Sequence, residues 1–165
     1  MQIQILCIGK IKDQWISEGI SVFETRLKPY CSMTLTVLPE VRIPENASAA
    51  EENLVREKEG ELLLSAVKEG YYTIALDPKG KMVSSEQLSV LIGDARISGR
   101  NLCFMIGGPL GFSKSLLSRV REKISFSALT FTHTMCRLIL FGQSRICRPR
   151  TSKRYIMGDL QRGRL

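Results

Sequence analysis

The stretch NLCFMIGGPLGFSKSLLSRVREKISFSALTFTHT, Asn101 to Thr134, decides how this chain is read. An apolar run from Leu102 to Ile106 breaks at Gly107-Gly108-Pro109-Leu110-Gly111, a helical pattern follows, and a second apolar run spans Phe126 to Phe131. It closes near His133, the sole histidine of the chain. Two short buried strands, each ending in a loop rich in Gly, Ser or Thr, can wall one pocket. Backbone groups exposed at strand ends bind a ligand's polar atoms without needing side chains.

The flanking sequence extends the same alternation. Gln2 to Ile8 has the pattern of a strand, stopped by Gly9. Asp13 to Tyr30 places Trp15, Ile16, Ile20, Phe23 and Leu27 three or four apart, the apolar face of a helix. Met33 to Leu38 predicts a second strand, rich in β-branched residues. Ser48-Ala-Ala-Glu51 has capping-box spacing and opens a helix predicted to reach about Glu69, with Leu54, Leu62, Leu63 and Val67 inward and Gly70 as terminator. Tyr72 to Leu76 is a third strand, followed by a loop over Asp77 to Lys81. Ser84-Ser-Glu-Gln87 is a second capping box, and a last helix begins near Met135. Strands alternating with helices predict a single-domain α/β fold, a mostly parallel sheet with helices on both faces. The loops 77–81, 107–111 and 127–133 would then meet at one rim of that sheet.

Composition narrows the class. A chain of 165 residues, 44% of them hydrophobic, suits one domain with a substantial core. No apolar run approaches the roughly 20 residues of a membrane span, and MQIQILCIGK reads as a first strand rather than a signal peptide. The five cysteines are scattered without a CxxC pair, which favours reduced thiols in a cytoplasmic protein over disulfides or a metal site. The net charge is +8, but seven basic residues against the single acid Asp159 fall from Gly142 onward, so six of those charges belong to the tail. A cationic tail suits a polyanion such as RNA, or simply a solvated surface.

The local motifs stay open when taken singly. The glycines at 107, 108 and 111 do not match a dinucleotide fingerprint or a P-loop and fit either a turn or a ligand loop. Asp77 before Pro-x-Gly is ordinary turn chemistry as well as a possible ligand. Any imidazole-dependent chemistry must use His133, yet no nucleophile elbow accompanies it. Arg137 at a helix start fits either an anion contact or a solvent-facing charge.

Together, Gly9 after the first strand, Leu76-Asp-x-x-Gly-Lys81, Phe104-x-Ile-Gly-Gly-Pro-x-Gly111, Leu129-Thr-Phe-x-His133 and Arg137-Leu-Ile-Leu140 resemble the RlmH (YbeA) family of SPOUT-class methyltransferases. The resemblance runs from Met1 to about Phe141. It implies S-adenosylmethionine as methyl donor, N3 of a pseudouridine in 23S ribosomal RNA of the large subunit as acceptor, a trefoil knot, and a homodimer in the cytoplasm. Carried over by position, it puts the cofactor at Leu76, Gly107, Phe126, Ser127, Ala128, Leu129, Thr130 and Phe131. His133 and Arg137 are the candidates on the acceptor side, and no metal is implied.

The chain departs from that pattern after Phe141. Gly142 stands where the family has an acid, and the Tyr-Arg pair and Pro-Tyr-His ending are missing. Residues 1–141 are therefore read as the methyltransferase-like domain and 142–165 as a divergent basic tail, the kind of junction that a reading-frame change produces. The alternative to an active RNA methyltransferase is a catalytically impaired RNA- or ribosome-binding protein that keeps the fold and the cofactor.

Overall fold

A computed structural model describes residues 1–143. Their order is β1 (Gln2–Ile8), α1 (Gln14–Leu27), β2 (Ser32–Leu38), α2 (Ala49–Ser65), β3 (Tyr72–Met82), α3 (Ser85–Ile97), β4 (Leu102–Ile106), α4 (Lys114–Arg119), β5 (Glu122–Ser125) and α5 (His133–Gln143). The strands form one sheet in the order β2-β1-β4-β3-β5, with every pairing parallel. The α/β expectation holds.

Every residue of β4 is buried, as an unbroken Leu-Cys-Phe-Met-Ile run requires at the centre of a sheet covered on both sides. Side chains of β1 divide between the faces. Ile3, Ile5 and Cys7 join residues of α1, α3 and α5 in one core, and Leu6 and Ile8 join residues of α2 and α4 in another. Gly19 lets α1 and α5 approach closely, since a Cβ there would stand 2.9 Å from Leu138 Cδ1. Both predicted capping boxes form, Ser48 with Glu51 and Ser84 with Gln87.

Four expectations change. In α1, Trp15 is exposed and the buried stripe is Ile16, Ile20 and Leu27. Helix α2 ends at Ser65, short of Glu69, and Gly70 belongs to the turn before β3. Its buried residues are Val55, Glu59, Gly60 and Leu63, with Leu54 exposed. Counting apolar residues misplaced that face because a carboxyl group and a glycine occupy its middle. Strand β3 does not stop at Leu76. Its register shifts between Leu76 and Lys81, and it pairs with β5 again at Lys81 and Met82. Gly80 permits this, because a Cβ there would lie 2.7 Å from the Ile124 nitrogen. Finally, β5 occupies Glu122–Ser125, and the apolar run from Phe126 to Phe131 is loop. Leu129 within that run is 71% exposed, so its hydrophobicity serves something other than the core.

The predicted basic tail, 142–165, lies outside the described residues except for Gly142 and Gln143, which end α5.

Candidate functional site

At the carboxyl ends of β3 and β5 lies a pocket with about 320 Å³ of empty space that opens to solvent. Its lining comprises Leu76, Asp77 and Pro78 from the break in β3, Ile124 to Ser127 from the end of β5, and Leu129, Phe131 and Cys136. Local hydrogen bonds hold the 125–132 loop open over it. Ser125 Oγ donates to the Ser127 carbonyl at 2.8 Å, Ser127 Oγ accepts the Leu129 N–H at 3.0 Å, and Thr132 Oγ1 accepts the Met135 N–H at 3.2 Å at the start of α5. Serine and threonine in this run thus fix backbone and leave the apolar side chains to face the pocket.

Of the predicted cofactor residues, Leu76, Phe126, Ser127, Leu129 and Phe131 come together here. Ala128 and Thr130 are exposed members of the same loop and do not line the pocket. Gly107 does not line it either. A Cβ on Gly107 would stand 3.3 Å from the backbone of Gly111 and from Phe112, so the missing side chain serves closure of the loop itself. That loop turns on the Gly111 N–H donating to the Gly108 carbonyl at 3.0 Å, with Gly111 at φ +77°. Residues missed by sequence reasoning as wall are Pro78, Ile124, Ser125 and Cys136. Asp77 accepts the Lys79 N–H at 3.0 Å, the local bond expected of an Asp before Pro-x-Gly, and it also lines the pocket.

The rim over β1 is different. Arg137, in the second turn of α5, is fully buried, and its Nη2 donates to the carbonyl of Ile8 at the end of β1. Its Nε and Nη1 have no hydrogen-bond partner among the described residues. The solvent-facing alternative for Arg137 is thereby excluded. Burial, partly offset by the Cys7 and Cys136 thiols, pulls the guanidinium below its ordinary range. The surrounding groups respond. His133, half-buried one turn earlier, is held below the ordinary 6.5 by burial first and by the Arg137 charge second, against an opposing pull from Glu40. Glu40 sits beside Gly9, with its Oε2 3.3 Å from the position of a Cβ there. Gly9 itself has φ +79° and donates its N–H to the Leu38 carbonyl at 2.9 Å. Glu40 gave no signal in the sequence beyond an acid next to Pro39.

The thiols are poor nucleophiles. Burial pushes Cys103 up to about 12 and raises Cys7 and Cys136 as well. No disulfide joins the described cysteines.

The lining of this open pocket is mostly apolar, with Asp77, Ser125 and Ser127 as its polar members, a composition common in small-molecule sites. Leu129 lines the pocket while remaining largely exposed.

Comparison with known proteins gives the site a context. The family described as "Predicted SPOUT methyltransferase" matches residues 1–146. A protein of Methanocorpusculum labreanum named "Putative ribosomal RNA large subunit methyltransferase H" is 58% identical over 143 residues, covering 87% of this chain and 90% of that protein. Proteins named ribosomal RNA large subunit methyltransferase H from Clostridium novyi and Clostridium botulinum are 44% and 42% identical over 144 residues, each covering 87% of this chain and 91% of the relative.

Proposed function

This chain belongs to the SPOUT methyltransferase family, and from that premise we propose that it methylates N3 of a pseudouridine in 23S ribosomal RNA of the large subunit, with S-adenosylmethionine as methyl donor. The observation that carries the reading is the division of the rim: an apolar, backbone-lined pocket over β3 and β5, adjoining a buried cation and a neutral imidazole over β1.

In this reading the cofactor, when bound, supplies an electrophilic methyl group on a sulfonium. Leu76, Leu129 and Phe131 give its apolar walls, and Asp77, Ser125 and Ser127 are the polar residues beside them. Closure of these walls excludes water and fixes the direction of approach, and alignment of this kind can supply up to roughly 7–11 kcal/mol of the barrier. His133, uncharged at neutral pH, accepts the proton that the acceptor nitrogen must lose. Arg137 is too deeply buried to touch a base. Its charge acts through the field it sets at β1, favouring the anionic form of the acceptor.

The same reading takes the protein as a cytoplasmic homodimer with a trefoil knot in its C-terminal half. Supporting it are exposed Trp15 and Val22 on α1, beside the α1–α5 contact, as surface for a second copy. Among the described residues no helix is long and apolar enough to cross a membrane.

A specific observation keeps a second reading in view. The family match ends at residue 146, and the arginine-rich sequence beyond it departs from the family's closing motif. In that reading the protein binds cofactor and ribosomal RNA but transfers no methyl group. Titration calorimetry with S-adenosylmethionine, followed by transfer of labelled methyl to ribosomes lacking the modification, separates the two. Binding with transfer supports the enzyme, binding without transfer the impaired protein, and no binding overturns both.

A further inference from the structure

Helix α2 covers the face of the sheet opposite α5, yet it reaches the glycine loop at the rim. Arg56 Nε donates to the Leu110 carbonyl at 3.2 Å. One turn on, Glu59 is 2% exposed and accepts the Val41 N–H on Oε1 at 3.2 Å. Its Oε2 has no hydrogen-bond partner among the described residues and lies 2.7 Å from where a Cβ on Gly108 would stand. Gly60 beside it leaves room for Ser113 Oγ, 2.8 Å from the place of its own Cβ.

A carboxyl group at the middle of a buried stripe is costly, and an apolar side chain between Val55 and Leu63 would fill the stripe at less cost. Among the described residues no cation forms an ion pair with it. From the loop after β2 the charged group bearing on it is Glu40, of its own sign. On α2, the Arg56 guanidinium is engaged by Glu52, Asn53 and Leu110. The glycine loop carries no titratable side chain, and at the start of α4 Lys114 is exposed. Burial, and then Glu40, push the Glu59 carboxyl above its ordinary range against the pull of the Val41 bond. Its protonated form is the one suited to this place.

We infer that Glu59 is a positioning residue for the rim, its carboxyl group wedged between the 39–41 segment and Gly108 so that it sets the path of residues 107–111. The inference rests on the cofactor reading above, since that loop and the pocket share the carboxyl edge of the sheet. It explains why position 108 is glycine when its backbone needs no positive φ. It also gives the site a dependence on pH that originates on the far face of the sheet. Ionisation of Glu59 places an unpaired charge against Gly108, so cofactor affinity falls as pH rises through the carboxyl's raised range.

Calorimetry with S-adenosylmethionine on the full chain tests this. Gly108→Ala and Glu59→Ala should each weaken binding about tenfold, and the double variant should bind more tightly than Gly108→Ala alone, because removing the carboxyl makes room for the new methyl group. Glu59→Gln, which mimics the protonated acid, should bind within about threefold of wild type and lose the decline in affinity with rising pH. Thermal melts identify variants that fail to fold, and Glu59→Gln remains informative if the alanine variants do. Additive losses in the double variant, or the same pH profile in Glu59→Gln as in wild type, would overturn the role of Glu59 while leaving the cofactor reading standing. No heat from the wild-type protein would overturn both.

Discussion

Over β3 and β5 the rim is apolar side chain and loop backbone, whereas over β1 it is a cluster of charged and titratable groups around Arg137. Helix α5 serves both halves from adjacent positions, since Cys136 lines the pocket and Arg137 reaches the Ile8 carbonyl. The two halves are held differently. Short serine and threonine bonds within 125–135 maintain the pocket, so it depends on local structure. The β1 half depends on the assembled sheet, because a guanidinium is tolerated there only where an end-of-strand carbonyl meets it. An unpaired buried charge does little for folding, which makes it informative about activity.

The largest effect should come from separating those two contributions. Arg137→Met keeps the volume and removes two unpartnered donors. Relief of the buried charge opposes loss of the bond to the Ile8 carbonyl, so the stability of the apo protein should change by no more than about 1 kcal/mol in denaturant unfolding. Methyl transfer to unmodified ribosomes should drop by about 100-fold. A destabilised variant that retains its transfer rate would mean that the arginine is there for the fold. Next in size is Gly80→Ala at the junction of the pocket strands. Its Cβ would meet the backbone of Lys123 and Ile124 at 2.7 Å, which no rotamer change can relieve. The expected loss is about 1–3 kcal/mol. Cofactor binding should weaken with it, because Leu76 and Ile124 face each other across the same break. Undiminished stability would show that the register shift in β3 is not what the glycine permits.

Legibility in the sequence follows the same division. The central strands were readable because burial on both faces demands continuous apolar residues, and Leu102 to Ile106 meets that demand without exception. The capping boxes were readable because their geometry is local. Much of the pocket over β3 and β5 could be found from strand-end loops and family resemblance, although the apolar run Phe126 to Phe131 reads as a strand whereas β5 ends at Ser125 and that run is loop. Strand periodicity cannot tell residues buried by the core from residues awaiting a ligand. The β1 half was barely legible. Glu40 and Glu59 are far in sequence from His133 and Arg137, and only the folded sheet brings Glu40's charge to bear on His133. The inward position of Glu59 was hidden because a carboxylate on a helix reads as solvent-facing.

A smaller effect tests the pocket half alone. Leu129 is 71% exposed, so Leu129→Ala should change stability by no more than about 0.5 kcal/mol. If the side chain closes over the cofactor, the dissociation constant should rise about tenfold in calorimetry, the equivalent of 1.4 kcal/mol. Equal affinity in the two proteins would move the cofactor away from this wall.

The smallest effect probes the charged half without disturbing it. His133 is the sole histidine, so its imidazole signals in an NMR titration need no assignment by mutation. Burial and Arg137 hold its folded-state pKa below the ordinary 6.5. The unfolded chain therefore takes up a proton first as pH falls, and this histidine's contribution to stability, present above 6.5, is lost as pH drops through the folded value. With cofactor saturating, methyl transfer should fall as pH drops to where the imidazole becomes charged. Arg137→Met removes one of the two causes and should move the titration upward, Glu40→Gln removes the opposing pull and should move it downward, and Leu129→Ala should leave it in place. A titration that shifts with Leu129→Ala but ignores Arg137→Met would join the two halves into one site and end the distinction drawn between them.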